Sequence, residues 1–177
     1  MNKNIVILSG SPRRNGNSEK LVAAFKEGAE SAGKTVTVFR TAHMKIKGCS
    51  GCEYCHESGG KCSIKDDMTE VLDAIGKANA VVFVSPIYYF SFSAQLKTAI
   101  DRMYPLRDVK GKQAALLLTC AEETIDTATG ALTIYQRIVK YYEWEDVGIV
   151  IATDVEHIGD IDGCEELEEA RKLGRTI

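Results

Sequence analysis

The sequence predicts an α/β fold, a three-layer sandwich in which a five-stranded parallel sheet, order 2-1-3-4-5, lies between two layers of helices. Three observations carry that prediction. The apolar runs Ile5-Val6-Ile7-Leu8 and Ala80-Val81-Val82-Phe83-Val84 are each followed at once by serine with glycine or proline, the pattern of strands buried on both faces. Segments with apolar residues at helical spacing separate such runs, so strands and helices alternate. The 177 residues are 45% hydrophobic with no break in composition, which suits a single domain over 1–177 with a substantial core.

The elements follow in order. After the first strand, Asn17 or Ser18 is placed to cap a helix carrying Leu21, Val22, Phe25 and Ala29. Thr35 to Phe39 alternates like an outer strand. The stretch 41–65 has no sustained period and holds Gly48, Gly51, Gly59 and Gly60, so it reads as a long functional loop inserted after the second strand. Asp67 and Glu70 resemble a capping box for a helix with Met68, Val71, Leu72 and Ile75. The buried strand from Ala80 runs into Ser85 to Phe92, whose clustered aromatics cannot all face a core. Ser93 then caps a helix stopped by Pro105. A strand over Ala114 to Thr119, a helix over Thr129 to Tyr142 and a strand over Val147 to Ala152 follow. In the last helix acidic residues precede Arg171 and Lys172, with Gly174 expected beyond its end.

Right-handed crossovers make the strands parallel, and the order 2-1-3-4-5 opens a ligand crevice at the carboxyl ends of the first and third strands. The loop at the first of these is Ser9-Gly10-Ser11-Pro12-Arg13-Arg14-Asn15-Gly16-Asn17-Ser18. Helix N–H groups, the hydroxyls of Ser9, Ser11 and Ser18, and an arginine converge there, so an anion is expected. Five residues separate Gly10 from Gly16 and no lysine follows, which excludes a nucleoside triphosphate loop. Pro12 excludes the dinucleotide fingerprint. A terminal phosphate monoester fits better than a pyrophosphate.

A net charge of −3 argues against nucleic acid and membrane partners. The four residues before the first apolar run are too short for a signal peptide or span, so the protein is expected to be cytoplasmic. Four of the six cysteines crowd between Cys49 and Cys62, which in a reducing compartment asks for a metal or redox explanation. The three histidines are scattered and give no support to a Ser-His-Asp hydrolase.

Gly10-Ser11-Pro12-Arg13, Gly16-Asn17-Ser18, Ser85-Pro86-Ile87-Tyr88, Ser93-Ala94-Gln95-Leu96-Lys97 and Asp101-Arg102 together resemble the NADPH-dependent FMN reductase family of flavodoxin-like proteins. Within it the chain looks closest to the iron-sulfur flavoproteins. The resemblance implies an FMN site in which Ser9, Ser11, Arg13, Asn17 and Ser18 hold the phosphate and ribityl chain. Pro86, Ile87, Tyr88, Tyr89, Phe90 and Ser91 would line the ring. Phe90 departs from the glycine of many relatives and places access to one flavin face in question. The implied activity is transfer of hydride from NADPH or NADH through FMN to a small acceptor such as a flavin, quinone or nitroaromatic. The alternative is an electron carrier that receives electrons from a ferredoxin-like protein. A homodimer or homotetramer is expected, as family members with this loop are oligomeric. Cys49-x-x-Cys52-x-x-Cys55 and Cys62 match the compact spacing of iron-sulfur flavoproteins, implying a possible [4Fe-4S] cluster. Tetrahedral zinc and four reduced thiols are the competing readings.

Overall fold

The computed structural model describes residues 3–177. Five strands, β1 (Asn4–Ser9), β2 (Thr35–Arg40), β3 (Ala80–Tyr88), β5 (Gln113–Thr119) and β6 (Glu145–Ala152), form a parallel sheet in the order β2-β1-β3-β5-β6. Counted among the parallel strands alone, this is the expected 2-1-3-4-5. A two-residue strand, β4 (Ser91–Phe92), turns back antiparallel on the end of β3. The helices are α1 (Asn17–Ser31), α2 (Tyr54–Glu57), α3 (Met68–Lys77), α4 (Ala94–Asp101), α5 (Thr129–Tyr142) and α6 (Glu165–Thr176). No helix among the described residues is long and apolar enough to cross a membrane.

Alternation along the strands divides the core into two layers. In β1, Val6 and Leu8 pack with Val71, Leu96 and Tyr135 of α3, α4 and α5, while Ile5 and Ile7 pack with Leu21 and Phe25 of α1 and Ala170 of α6. Successive side chains of one strand thus serve opposite faces. The α1–α6 contact depends on two glycines. A Cβ on Gly28 would lie 1.9 Å from the Arg171 carbonyl oxygen, and one on Gly174 would lie 2.1 Å from that of Phe25. Gly174 therefore sits inside α6, where the sequence reading placed it past the end.

The caps of α1 and α3 differ from expectation, the first in position and the second in its missing side-chain bond. Gly16, not Asn17 or Ser18, is the N-cap of α1, because the Asn17 amide is engaged by a distant loop described below. Asp67 is the N-cap residue of α3 as expected, but its side chain makes no capping bond. Its carboxylate accepts the Lys45 N–H at 2.7 Å, and the neighbouring Asp66 accepts those of Lys47 and Met68. These acids tie down the start of the 41–65 segment, which holds a 3-10 turn over Thr41–His43 and the short α2. Ser93 does cap α4, accepting the Leu96 N–H at 3.3 Å.

Candidate flavin site and cysteine loop

The switch point is built by close approach of β1, β3 and α4. Gly10 donates its N–H to the Val84 carbonyl at 2.8 Å and accepts the Ser93 hydroxyl at 2.7 Å. A Cβ here would lie 2.4 Å from Ser93 Oγ and 2.6 Å from Leu96 Cβ, so only glycine allows this packing. The chain then passes Ser11 and Arg13 to Gly16. Glu19 and Lys20 direct their N–H groups back to the Gly16 carbonyl, which leaves those of Asn17 and Ser18 at the open end of the helix. A cavity of about 240 Å³ lies against that end, walled by Ser11, Arg13, Asn17, Ser18 and Thr119 among others.

The expected phosphate-loop residues divide by position. Ser11 and Ser18 line the cavity, and the Ser18 hydroxyl is 2.7 Å from that of Thr119. Arg13 lies at the rim, donating Nη1 to the Glu156 carbonyl at 3.1 Å. Asn17 lines the cavity, yet its amide donates to the Val155 and His157 carbonyls at 3.1 and 2.8 Å and accepts the Gly159 N–H at 3.1 Å. Its side chain fastens the segment after β6 over the cavity. Ser9 does not line it. The fully buried Ser9 hydroxyl donates instead to Glu19 at 2.6 Å, and Arg40 neutralises that carboxylate from 2.7 Å. A strand residue whose side chain faces α1 cannot also face the crevice beyond the strand end.

Pro86, Ile87 and Tyr88 form the opposite wall. Ile87 pairs with Phe92 and Tyr88 with Ser91, so Tyr89 and Phe90 are the two corner residues of a hairpin. Both have positive φ, 47° and 64°, as the tightest hairpin turns require. Phe92 points into the core, while Tyr88, Tyr89 and Phe90 are exposed. The turn leans on α5, where a Cβ on Gly130 would lie 2.3 Å from the Phe90 carbonyl oxygen. Tyr89, Phe90, Glu122 and Thr127 border a second hollow of about 270 Å³, which shares Ile87, Cys120 and Ala121 with the first. Ser91 borders neither. One groove therefore runs from a helix N-terminus to an aromatic turn.

The sequence reading did not include Thr119, Val155 and Glu156. Thr119 was discoverable as the last residue of a central strand, but Val155 and Glu156 arrive through a tertiary contact with Asn17 that has no local signal. Cys120 lies on the floor shared by both hollows, and burial pushes its thiol up, against a smaller opposing effect of Thr127.

The cysteine loop lies elsewhere, against the end of α4. Cys49, Cys52, Cys55 and Cys62 border one small cavity together with Arg102 and Tyr104. Cys49 and Cys52 are exposed, Cys62 is half-buried and Cys55 is buried. The Ser63 hydroxyl, 3.3 Å from Cys52 Sγ, then the Tyr54 N–H and the Ser50 hydroxyl, hold the Cys52 thiol below its ordinary value. Among the described residues no group of three or more His, Cys, Asp or Glu is placed to hold a metal ion. The cavity the four cysteines share, about 30 Å³, admits a cluster only if the loop opens outward.

The sheet order, the crevice and its two-ended groove define the flavodoxin-like class of α/β proteins. The model of the NADPH-dependent FMN reductase family matches residues 3–143, and the chain belongs to that family. It is 32% identical over 171 residues to an iron-sulfur flavoprotein of Archaeoglobus fulgidus, covering 95% of this chain and 76% of that protein. It is 31% identical over 160 residues to an iron-sulfur flavoprotein of Methanosarcina thermophila, covering 87% and 79% respectively. Among solved structures, an NAD(P)H:quinone oxidoreductase from Methanothermobacter marburgensis superposes with a TM-score of 0.78 at 23% identity, over 99% of this chain and 96% of that one.

Proposed function

We propose that the protein is an FMN-dependent NAD(P)H oxidoreductase that passes electrons from a reduced nicotinamide to a small acceptor such as a flavin, quinone or nitroaromatic. The observation that carries the reading is the groove at the switch point, with a helix N-terminus and an arginine at one end and an aromatic turn at the other. The residues fit the cofactor. The Asn17 and Ser18 N–H groups, the Ser11 and Ser18 hydroxyls and the Arg13 guanidinium would hold its phosphate. Pro86, Ile87, Tyr88, Tyr89 and Phe90 would flank its ring, which needs apolar faces and few polar contacts. Bound FMN supplies hydride and single-electron chemistry, and the protein supplies position and exclusion of water. Tyr88 and Tyr89 are exposed, which supports a reading in which a nicotinamide and an acceptor would reach the ring in turn.

A second reading, the iron-sulfur electron carrier served by a ferredoxin-like protein, draws on the shared cavity of Cys49, Cys52, Cys55 and Cys62. A cluster at those thiolates would split hydride chemistry into single electrons. The six unpaired cysteines suit a reducing cytoplasm. The exposed Tyr88, Tyr89 and Phe90, and the Tyr104 and Tyr141 walls of a groove of about 750 Å³ between α4 and α5, suit the contact of a homodimer or homotetramer.

Anaerobic mixing with NADPH or NADH tests the first reading against the second. Saturable bleaching of the flavin absorbance is expected. Bleaching by reduced ferredoxin or dithionite alone would replace the reductase with the carrier.

A further inference from the structure

The least economical feature of the core lies beside the cysteine loop. Arg102, just past α4, is 1% exposed. Its Nη1 donates to the Lys47 carbonyl at 2.7 Å and to Asp66 at 2.8 Å, and its Nη2 donates to Asp66 at 3.0 Å and to the Ile64 carbonyl at 3.3 Å. Asp66 also accepts the Lys47 N–H at 2.8 Å. Lys47 lies two residues before Cys49 and Ile64 two residues after Cys62, so the pair ties both stems of the loop at matching positions. Arg102 also borders the cavity that the four cysteines share. Its Nε–H is the one buried side-chain polar atom among the described residues that finds no acceptor.

Packing alone does not call for this arrangement. A buried ion pair is often replaceable by apolar residues of similar volume without loss of stability. An unpaired buried N–H adds a further cost. Both make sense if a negative group comes to lie against them when the tip of the loop opens to receive it. Four thiolates around an iron-sulfur cube leave a net negative charge, and hydrogen bonds and charges near the sulfurs govern how readily such a group accepts an electron.

We propose that Arg102 is the positioning residue of the cysteine loop: with Asp66 it closes the two stems, and it presents a fixed positive charge and a spare N–H to an iron-sulfur cluster held by Cys49, Cys52, Cys55 and Cys62. The closure of the stems stands on the geometry alone. The charge effect rests on the cluster reading given above.

The test uses the full chain with Arg102→Gln, Arg102→Lys and Asp66→Asn, each checked for retained FMN binding. In metal-free protein, a chromogenic disulfide reagent should modify the slower thiols about tenfold faster in Arg102→Gln than in wild type, because the closed loop shields them. After anaerobic reconstitution, iron and sulfide per chain should at least halve in Arg102→Gln, in line with the 10–100-fold affinity losses typical of outer-layer changes at metal sites. The cluster that remains should have a more negative midpoint potential, and Arg102→Lys should restore the potential more fully than the thiol protection. Asp66→Asn, which keeps the arginine, loosens the loop and stands in if Arg102→Gln fails to fold. Equal thiol rates in wild type and variants would overturn the closure. Equal cluster content and potential would overturn the charge effect. A wild type that takes up no iron or sulfide would remove the cluster and the charge effect together, and the thiol rates would then decide the closure by themselves.

Discussion

The hairpin corner formed by Tyr89 and Phe90 lends itself to a test in which stability and cofactor affinity move in opposite directions. Both residues have positive φ, a conformation that costs an L side chain roughly 1–2 kcal/mol. Tyr89 is 97% exposed, so its removal forfeits almost no buried surface. Tyr89→Gly relieves that strain but adds roughly 0.5–1 kcal/mol of unfolded-chain entropy. The net expectation is about 0.5–1 kcal/mol of stabilisation, a rise in melting temperature of about 1–4 °C for a chain of this size. Tyr89→Asn should shift it in the same direction, since Asn tolerates positive φ without the full entropy of glycine. Circular dichroism melts of FMN-free protein read this directly. A titration of FMN followed by flavin fluorescence should show binding weakened by about 2–10-fold, because an aromatic contact worth roughly 0.5–1.5 kcal/mol is lost from the ring end of the groove. A melting temperature that stays or falls in both variants would refute the strain argument. Unchanged FMN affinity would refute the placing of the ring beside this turn.

Other expectations are more direct. Arg13→Ala should weaken FMN binding by about 10–150-fold, the equivalent of one charge-assisted contact of roughly 1.5–3 kcal/mol, and equal affinities would show that the phosphate lies elsewhere. Gly28→Ala drives a methyl into the Arg171 carbonyl of α6, so urea denaturation should show a loss of at least about 1–3 kcal/mol. Asn17→Ala removes three hydrogen bonds to 155–159 and should cost about 1–3 kcal/mol while speeding amide exchange in that segment. Burial opposes the ionisation of Asp66, but the Arg102 bonds and the Lys47 N–H outweigh it and hold the carboxyl below its ordinary value. The folded value being depressed, its stabilisation is full above the unfolded value near ~4 and fades as pH falls through the folded one. The stability gap between wild type and Asp66→Asn, measured by denaturant titration at successive pH, should therefore be largest near neutrality and narrow on the acid side.

Runs and periods in the sequence were enough to read the sheet. Ile5 to Leu8 and Ala80 to Val84 are apolar because each strand is buried on both faces, and Ser93 could be read as a cap because capping is decided within one helical turn. The crevice followed from strand order. Features that depend on tertiary partners were not legible. Nothing near Asn17 announces that its amide will bond to 155–159, and so the cap of α1 moved to Gly16. Gly174 looks like a helix stop until α1 is brought against it. Ser9 shares the hydroxyl chemistry of Ser11, and only the direction of its side chain separates their parts. Asp66 and Arg102 are 36 residues apart, and each alone resembles an ordinary surface charge.

The glycine contact between α1 and α6 bears on the order in which the protein is assembled. Glu27 of α1 and Arg171 of α6 stand 144 residues apart and yet touch. During synthesis the apolar face of α1 must wait for nearly the entire described chain to emerge before α6 covers it, and contacts of such sequence separation form slowly. The opening turn of α1 is also the end of the groove proposed to take the phosphate, and Asn17 reaches across to residues that follow β6. A nascent chain lacking the region beyond β6 would thus hold a finished strand β1 beside an unfinished cofactor cup. If FMN binds in this cup as proposed, its capture is expected to be a late event that reports on completed folding.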